Sequence, residues 1–369
     1  MHRIVRKSLF ITYIGVISLS SAIGIPAHGD VVTDWNNAAL DAIRAGRTAP
    51  PIASRSLAIL HAAIYDAVNG IARTHESYLV PSAGPASASR AGAASAAAHA
   101  TLVNLFPVSA STFDTLHAAI LATISDSPQK TAGITWGEFV ASQILAARAN
   151  DGSTAVVQPP DGSGPGVWIP TPPAFLPYLL PQWGFVVPFA MSSSSQFRPP
   201  GPPALDSQQY ASDYEEVKQL GAAVGSTRTE DQTQIALFWA DGAGTETPPG
   251  HWNSIAQIIG AAQGTTMEEN ARLFALLNIA MADAAICSWD AKYTYSFWRP
   301  VTAIAFAEPQ LSWMSLIVTP PFPDYTSGHS TFSAAAATVL PLFFGTEDLP
   351  FTTGSDFLPG VFRSFATCR

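Results

Sequence analysis

Residues 159–203 hold thirteen prolines, and this stretch limits the possible folds of the chain more than any other. Proline fixes φ and removes a backbone donor, so this density excludes both a long helix and a central strand. Trp168, Phe175, Trp183 and Phe185 lie in the same stretch, whereas disordered linkers are usually poor in aromatics. The reading is a long ordered loop that wraps a helical body. A split into two domains at this point is the competing arrangement.

The flanks read as helices. In residues 51–70, Leu57, Leu60, Ile64 and Val68 recur at spacings of three and four, with Pro51 at the start and Gly70 at the end. Residues 88–105 are Ala-rich, and 111–125 and 132–149 repeat the pattern around a break at Ser127-Pro128. Beyond the proline-rich stretch, 206–221 and 229–240 fit the same period. Thr266 and Glu269 form a capping-box pattern that opens a run of Ala and Leu to about Cys287. Residues 329–340 are again Ala-rich and are expected to end at Pro341 and Gly345. Convincing alternating strands are absent. The predicted class is mainly α, a bundle of about ten helices.

Composition narrows the function classes. Only 12% of residues are charged, the net charge is −9, and no Lys/Arg run occurs, so a nucleic-acid partner has no support. Residues 1–29 read as a signal peptide. Arg3, Arg6 and Lys7 precede an apolar run from Leu9 to Ile25, and Ala27 and Gly29 supply small residues before a cleavage point. An exported protein, periplasmic or extracellular, is expected, with residues 30–369 as one helical domain. No other stretch reads as long and apolar enough to span a bilayer, so no stable membrane span is expected after cleavage. Cys287 falls in an apolar helical pattern and reads as a small buried hydrophobe, although export would permit a disulfide with Cys368.

Near the C-terminus, Lys292 and Arg299 bracket an aromatic run, and Ser327-Gly328-His329 opens the last Ala-rich stretch. A helix start presents unpaired N–H groups and the positive end of the dipole, where a tetrahedral anion is stabilised. Ser327 adds a hydroxyl, Gly328 admits close approach, and His329 suits acid–base work. If the helix persists, the spacing of seven sets Lys292 and Arg299 on one face, a fork and a point charge for an oxyanion. His251, in Pro-Pro-Gly-His-Trp-Asn, reads as a structural residue at a helix start or as part of the site entrance. His61, His99 and His117 lack paired zinc-ligand spacing. The Gly328-His329-Ser330-Thr331 run begins a nucleophile elbow but carries Phe332 where glycine is required.

Lys292-x6-Arg299-Pro300 followed by Ser327-Gly328-His329 resembles the first two motifs of the type 2 phosphatidic acid phosphatase and vanadium-dependent haloperoxidase superfamily. The segment Phe238–Asn253 and the segment Ala58–Ala67 resemble its secreted bacterial haloperoxidase-like members. The resemblance implies a helical bundle of the vanadium haloperoxidase type. It also implies that Lys292, Arg299, Ser327 and Gly328 hold vanadate or phosphate oxygens and that His329 is the acid–base residue. Vanadate would be the cofactor, in competition with phosphate, and hydrogen peroxide with halide, or a small phosphoester, the partners. The family's third motif, Ser-Arg-x5-His, is expected after residue 365 and is not present there, so the chain reads as C-terminally incomplete, with no vanadium-ligating histidine and little turnover. The one match, Ser54-Arg55 to His61, lies within a helix, where six residues leave Arg55 and His61 about 120° apart. The functions implied are haloperoxidase, phosphomonoester hydrolase, or an inactive oxyanion-binding member.

Mass spectrometry of the secreted protein is expected to find Asp30 at the N-terminus; an intact Met1 on a membrane-bound product would contradict the leader.

Overall fold

The computed structural model describes residues 30–158, 160 and 162–368, so the leader expected over 1–29 lies outside the described residues. Eleven α-helices occur among the described residues, in the order α1 (Val31–Ala45), α2 (Pro50–Ala72), α3 (Arg90–Leu105), α4 (Ala110–Ala122), α5 (Pro128–Arg148), α6 (Gln208–Gly221), α7 (Glu230–Phe238), α8 (Thr247–Gln263), α9 (Met267–Tyr295), α10 (Pro300–Ala307) and α11 (Gly328–Phe344). The helical periodicity is therefore realised throughout. Two short strands, β1 (Phe351–Gly354) and β2 (Phe362–Phe365), pair antiparallel with Phe351 opposite Phe365. They have no counterpart in the sequence reading, because four residues are too few to show alternation.

Helix α2 lies against α3, α5 and α9, and α9 also carries α11. Leu57, Leu60, Ile64 and Val68 are all buried, as their spacing requires. The side of α5 facing α3 is small by necessity. A Cβ on Gly137 would stand 2.2 Å from the Ala93 carbonyl oxygen, and one on Gly133 would stand 2.3 Å from that of Ser89. The two backbones touch, and only glycine at these two positions of α5 permits it. Thr266 and Glu269 form the predicted capping box at the start of α9.

Three expectations are corrected. Helix α11 contains Pro341 and runs on to Phe344, where Gly345 at φ 70 closes it through a 2.8 Å bond to the Pro341 carbonyl. Helix α9, with 29 residues, is in fact long and apolar enough to cross a bilayer: its 18-residue apolar window has a mean hydropathy of 1.4, but 72% of that window is buried inside the bundle. Cys287 is only half-buried, Cys368 is buried, and both are free thiols.

The proline-rich stretch is fastened to α9 along its length. Trp168 and Trp183 are buried, whereas Phe175 and Phe185 are exposed. The Asp283 carboxylate on α9 accepts the backbone N–H groups of Phe189, Ala190 and Met191 at 2.6, 2.8 and 2.7 Å. The Leu179 carbonyl accepts from Trp289 Nε1 and from the Tyr293 hydroxyl. A segment whose regular structure is limited to a 3-10 turn at Trp183–Phe185 and an isolated bridge at Val167 satisfies much of its polar backbone from side chains instead.

His61 lies in the middle of this core. Its Nε2 is 3.1 Å from Asn36 Oδ1, its ring stacks on Phe274 at 5.0 Å, and its Nδ1 is buried without a partner. Burial pulls its pKa from 6.5 down to about 3. The unfolded chain therefore binds a proton that the folded chain refuses, and stability falls as pH drops through the window from 6.5 to 3. In urea titrations, wild type is expected to lose up to about 1.4 kcal/mol per pH unit in that window relative to His61→Gln, and equal slopes would refute the assignment.

Candidate active site

Lys292 and Arg299 do not share a helix face. Helix α9 ends at Tyr295, where Ser296 adopts φ 43 and its N–H returns to the Lys292 carbonyl at 2.8 Å. The chain then runs extended to Arg299, which precedes Pro300 as the N-cap of α10. The two cations meet across this reversal, and both reach the segment that leads into α11.

Lys292 is 1% exposed, and its ammonium donates to the carbonyls of Pro323, Asp324 and Thr326 at 2.9, 2.9 and 2.5 Å. An ammonium has three protons, so all of them are committed. Arg299 donates from Nε to the Phe322 carbonyl at 2.8 Å and from Nη1 to the Asp324 carboxylate at 2.7 Å. Its Nη2 is buried with no partner. The Phe322 ring packs between the cations, 4.8 Å from Lys292 Nζ and 4.7 Å from Arg299 Cζ, a geometry that favours cations over an aromatic face. Burial, and after it the charge of Arg299, holds the Lys292 pKa well below 10.5 against the pull of Asp324. Burial likewise lowers Arg299, with Asp324 opposing.

That anchored segment delivers Ser327-Gly328-His329 to the cavity. The Ser327 hydroxyl caps α11 by accepting the Ser330 N–H at 3.2 Å. A Cβ on Gly328 would meet only the Trp289 ring, at 3.6 Å, so packing does not demand glycine there. Its effect is to leave the helix start open over that ring. His329 is exposed, and its Nε2 lies 3.2 Å from the Ala240 carbonyl.

Lys292, Arg299, Asp324, Ser327, Gly328 and His329 line one cavity of about 480 Å³. Pro50 and Pro248, at the starts of α2 and α8, line it as well. The structure thus brings together all five residues singled out from the sequence. Asp324, Phe322 and Trp289 were missed. An acidic residue whose carbonyl accepts from a distant Lys has no sequence signature, and an aromatic beside a cation shows only when the loop closes. His251 does not line the cavity. It is 1% exposed, with Nδ1 3.0 Å from Asp241 Oδ2 and Nε2 3.0 Å from Thr353 Oγ1. Arg55 binds Asp151 and the Arg148 carbonyl, and His61 is in the core. The Ser54–His61 match therefore contributes nothing to the cavity.

The donor set fits a tetrahedral oxyanion. Two cations face one carboxylate, leaving an excess positive charge; a buried guanidinium N–H lacks an acceptor; and the first turn of a 17-residue helix opens on the same space.

A family model described as the VCPO second helical-bundle domain matches residues 272–361, which include all five of those residues. A vanadium chloroperoxidase from Curvularia inaequalis is 26% identical over 387 residues, an alignment that covers 82% of this chain and 63% of that protein. Among solved structures, a bacterial vanadium-dependent iodoperoxidase superposes with a TM-score of 0.82 at 27% identity, covering 92% of this chain and 86% of that one. An apo-type bacterial vanadium-dependent chloroperoxidase, 14% identical, shares the fold with a TM-score of 0.68 over 85% of this chain and 84% of its own. Together with the helical bundle and its oxyanion-type cavity, these likenesses support a vanadium haloperoxidase-like assignment for the chain.

Proposed function

We propose that the cavity binds vanadate, with phosphate as competitor, and serves a haloperoxidase-like oxidation of halide by hydrogen peroxide in an exported protein. The observation that carries this reading is the unpartnered Arg299 Nη2, buried in a cavity with an excess of positive charge. Vanadate, when bound, would supply Lewis-acid activation of peroxide.

The residues have distinct tasks. Arg299 donates from its unpartnered Nη2 to an anion oxygen. The N–H groups of the first turn of α11 point the same way, and Gly328 keeps that approach free of a side chain. Lys292 contributes charge from beneath the loop, since its protons are held by carbonyls. His329 stands at the rim with its Nδ1 available to hold or deliver a proton. Asp324 opposes anion entry, because its carboxylate already occupies Arg299 Nη1.

A second reading, oxyanion binding without turnover, is favoured by one observation. The Lys292 donors are saturated and half of the Arg299 fork is taken, so the anion is gripped by fewer groups than the cavity contains.

Vanadate and phosphate are both expected to raise the melting temperature by mass action. Arg299→Ala should abolish the shift and reduce vanadate-dependent bromide or iodide oxidation at least about tenfold. Asp324→Asn should bind either anion roughly tenfold more tightly, because a facing charge is removed. Equal shifts in wild type and Arg299→Ala would place the anion elsewhere. A shift without peroxide-dependent halide oxidation would select the second reading.

A further inference from the structure

We infer that the buried pair Asp241–His251, held by Thr353 of β1, is a positioning device for His329, acting through the carbonyl of Ala240. The contacts form a continuous line. His329 Nε2 bonds the Ala240 carbonyl at 3.2 Å, and Asp241 follows directly in the chain. The Asp241 side chain then binds His251 Nδ1, and His251 Nε2 binds Thr353 Oγ1, each at 3.0 Å.

A carbonyl can only accept, so His329 carries a proton on Nε2 in every state that keeps this bond. Its Nδ1 is then the nitrogen that takes up or releases a proton. Which way the Ala240 carbonyl points decides whether that arrangement exists. The peptide between Ala240 and Asp241 is set by Asp241, which adopts φ 40, a conformation in which glycine would sit without steric cost. Aspartate there instead provides the side-chain anchor. Asp241, His251 and Thr353 are 2%, 1% and 3% exposed. The ring of Trp239 stacks on His251 at 4.8 Å, and Ser355 Oγ donates to the Phe238 carbonyl at 2.7 Å. The segment that presents Ala240 is thus held by α8 through His251 and by the residue after β1 through Ser355.

The chemistry of the pair agrees. Thr353 Oγ1 also donates to the Gly354 carbonyl, at 3.4 Å, so it accepts from His251, and the imidazole donates at both nitrogens. Burial opposes that charge, but Asp241, Glu246 and Asp356 outweigh it and raise the His251 pKa. Arg44 bridges Glu246 and Asp356 behind the cluster. A buried ion pair is weak as a source of stability and is often replaceable by apolar residues of similar volume. Its use here is the fixed direction of one carbonyl.

This inference rests on the reading of the cavity as an oxyanion site for which His329 manages protons, and its test does not require bound anion. Nitrogen-15 spectra of the full chain, with His329 assigned by its loss in His329→Asn, report the proton position on each ring. In wild type, His329 is expected almost wholly as the Nε2–H form, at least about ten to one. In His251→Gln the ratio should fall towards the mixture of a free histidine, with the vanadate-induced melting shift kept within about twofold in affinity and kcat reduced without a matching change in the halide KM. Should His251→Gln not fold, Thr353→Val removes a single hydroxyl and should move the ratio in the same direction by less. A folded variant with the wild-type His329 ratio overturns the inference, whereas absence of any anion shift in wild type overturns the oxyanion reading instead.

Discussion

The site depends on one buried ammonium. Lys292 is enclosed by the carbonyls of Pro323, Asp324 and Thr326, and those carbonyls belong to the segment that positions the first turn of α11. A charge taken out of water costs several kcal/mol unless hydrogen bonds replace its hydration. Here the loop supplies the replacement, so loop and cation are ordered together. Arg299 repeats the device one step along by holding Phe322 and Asp324. The positive charge that attracts an anion is thereby also what fixes the path of the chain around it.

The fold places these parts by ordinary means. Helix α9 is the shared wall, with α2 on one side and α11 on another, and it ends one turn beyond Lys292. The proline-rich segment is bound to the same helix at Asp283, Trp289 and Tyr293. It brings Leu179 against Pro321, whose carbonyl accepts the Leu179 N–H at 2.9 Å. A stretch that forms no long helix or sheet strand thus buttresses the loop under the cavity.

Much of this was legible in the sequence. The period of α2, the capping box of α9 and the helix opening at Ser327-Gly328 are local, and local rules predict them well. The five cavity residues were recoverable because their types and spacing carry chemistry. What could not be read depends on the chain closing on itself. Lys292 and Arg299 meet through a left-handed residue at Ser296, and no periodicity encodes a reversal. Asp324 as partner of Arg299, and His251 in a network with Thr353, join positions 25 and 102 residues apart. The hairpin of β1 and β2 was missed because four residues leave too short a trace of alternation.

Helix α9 carries one more consequence. Its length and apolarity would suffice to lodge it in a bilayer, and yet Asn278, Asp283, Ser288 and Lys292 interrupt it, each buried in the folded protein. A charged residue at the centre of an inserting helix costs roughly 2.5–3.5 kcal/mol during translocation. For a chain passing unfolded through a membrane, these residues oppose arrest partway, before any of their folded contacts exist. In such a passage the side chains of Asp283 and Lys292, which in the folded protein clasp the strap and order the loop, would first act against insertion, and a helix with apolar residues at these positions would be more prone to lodge in the bilayer even where it folded as well.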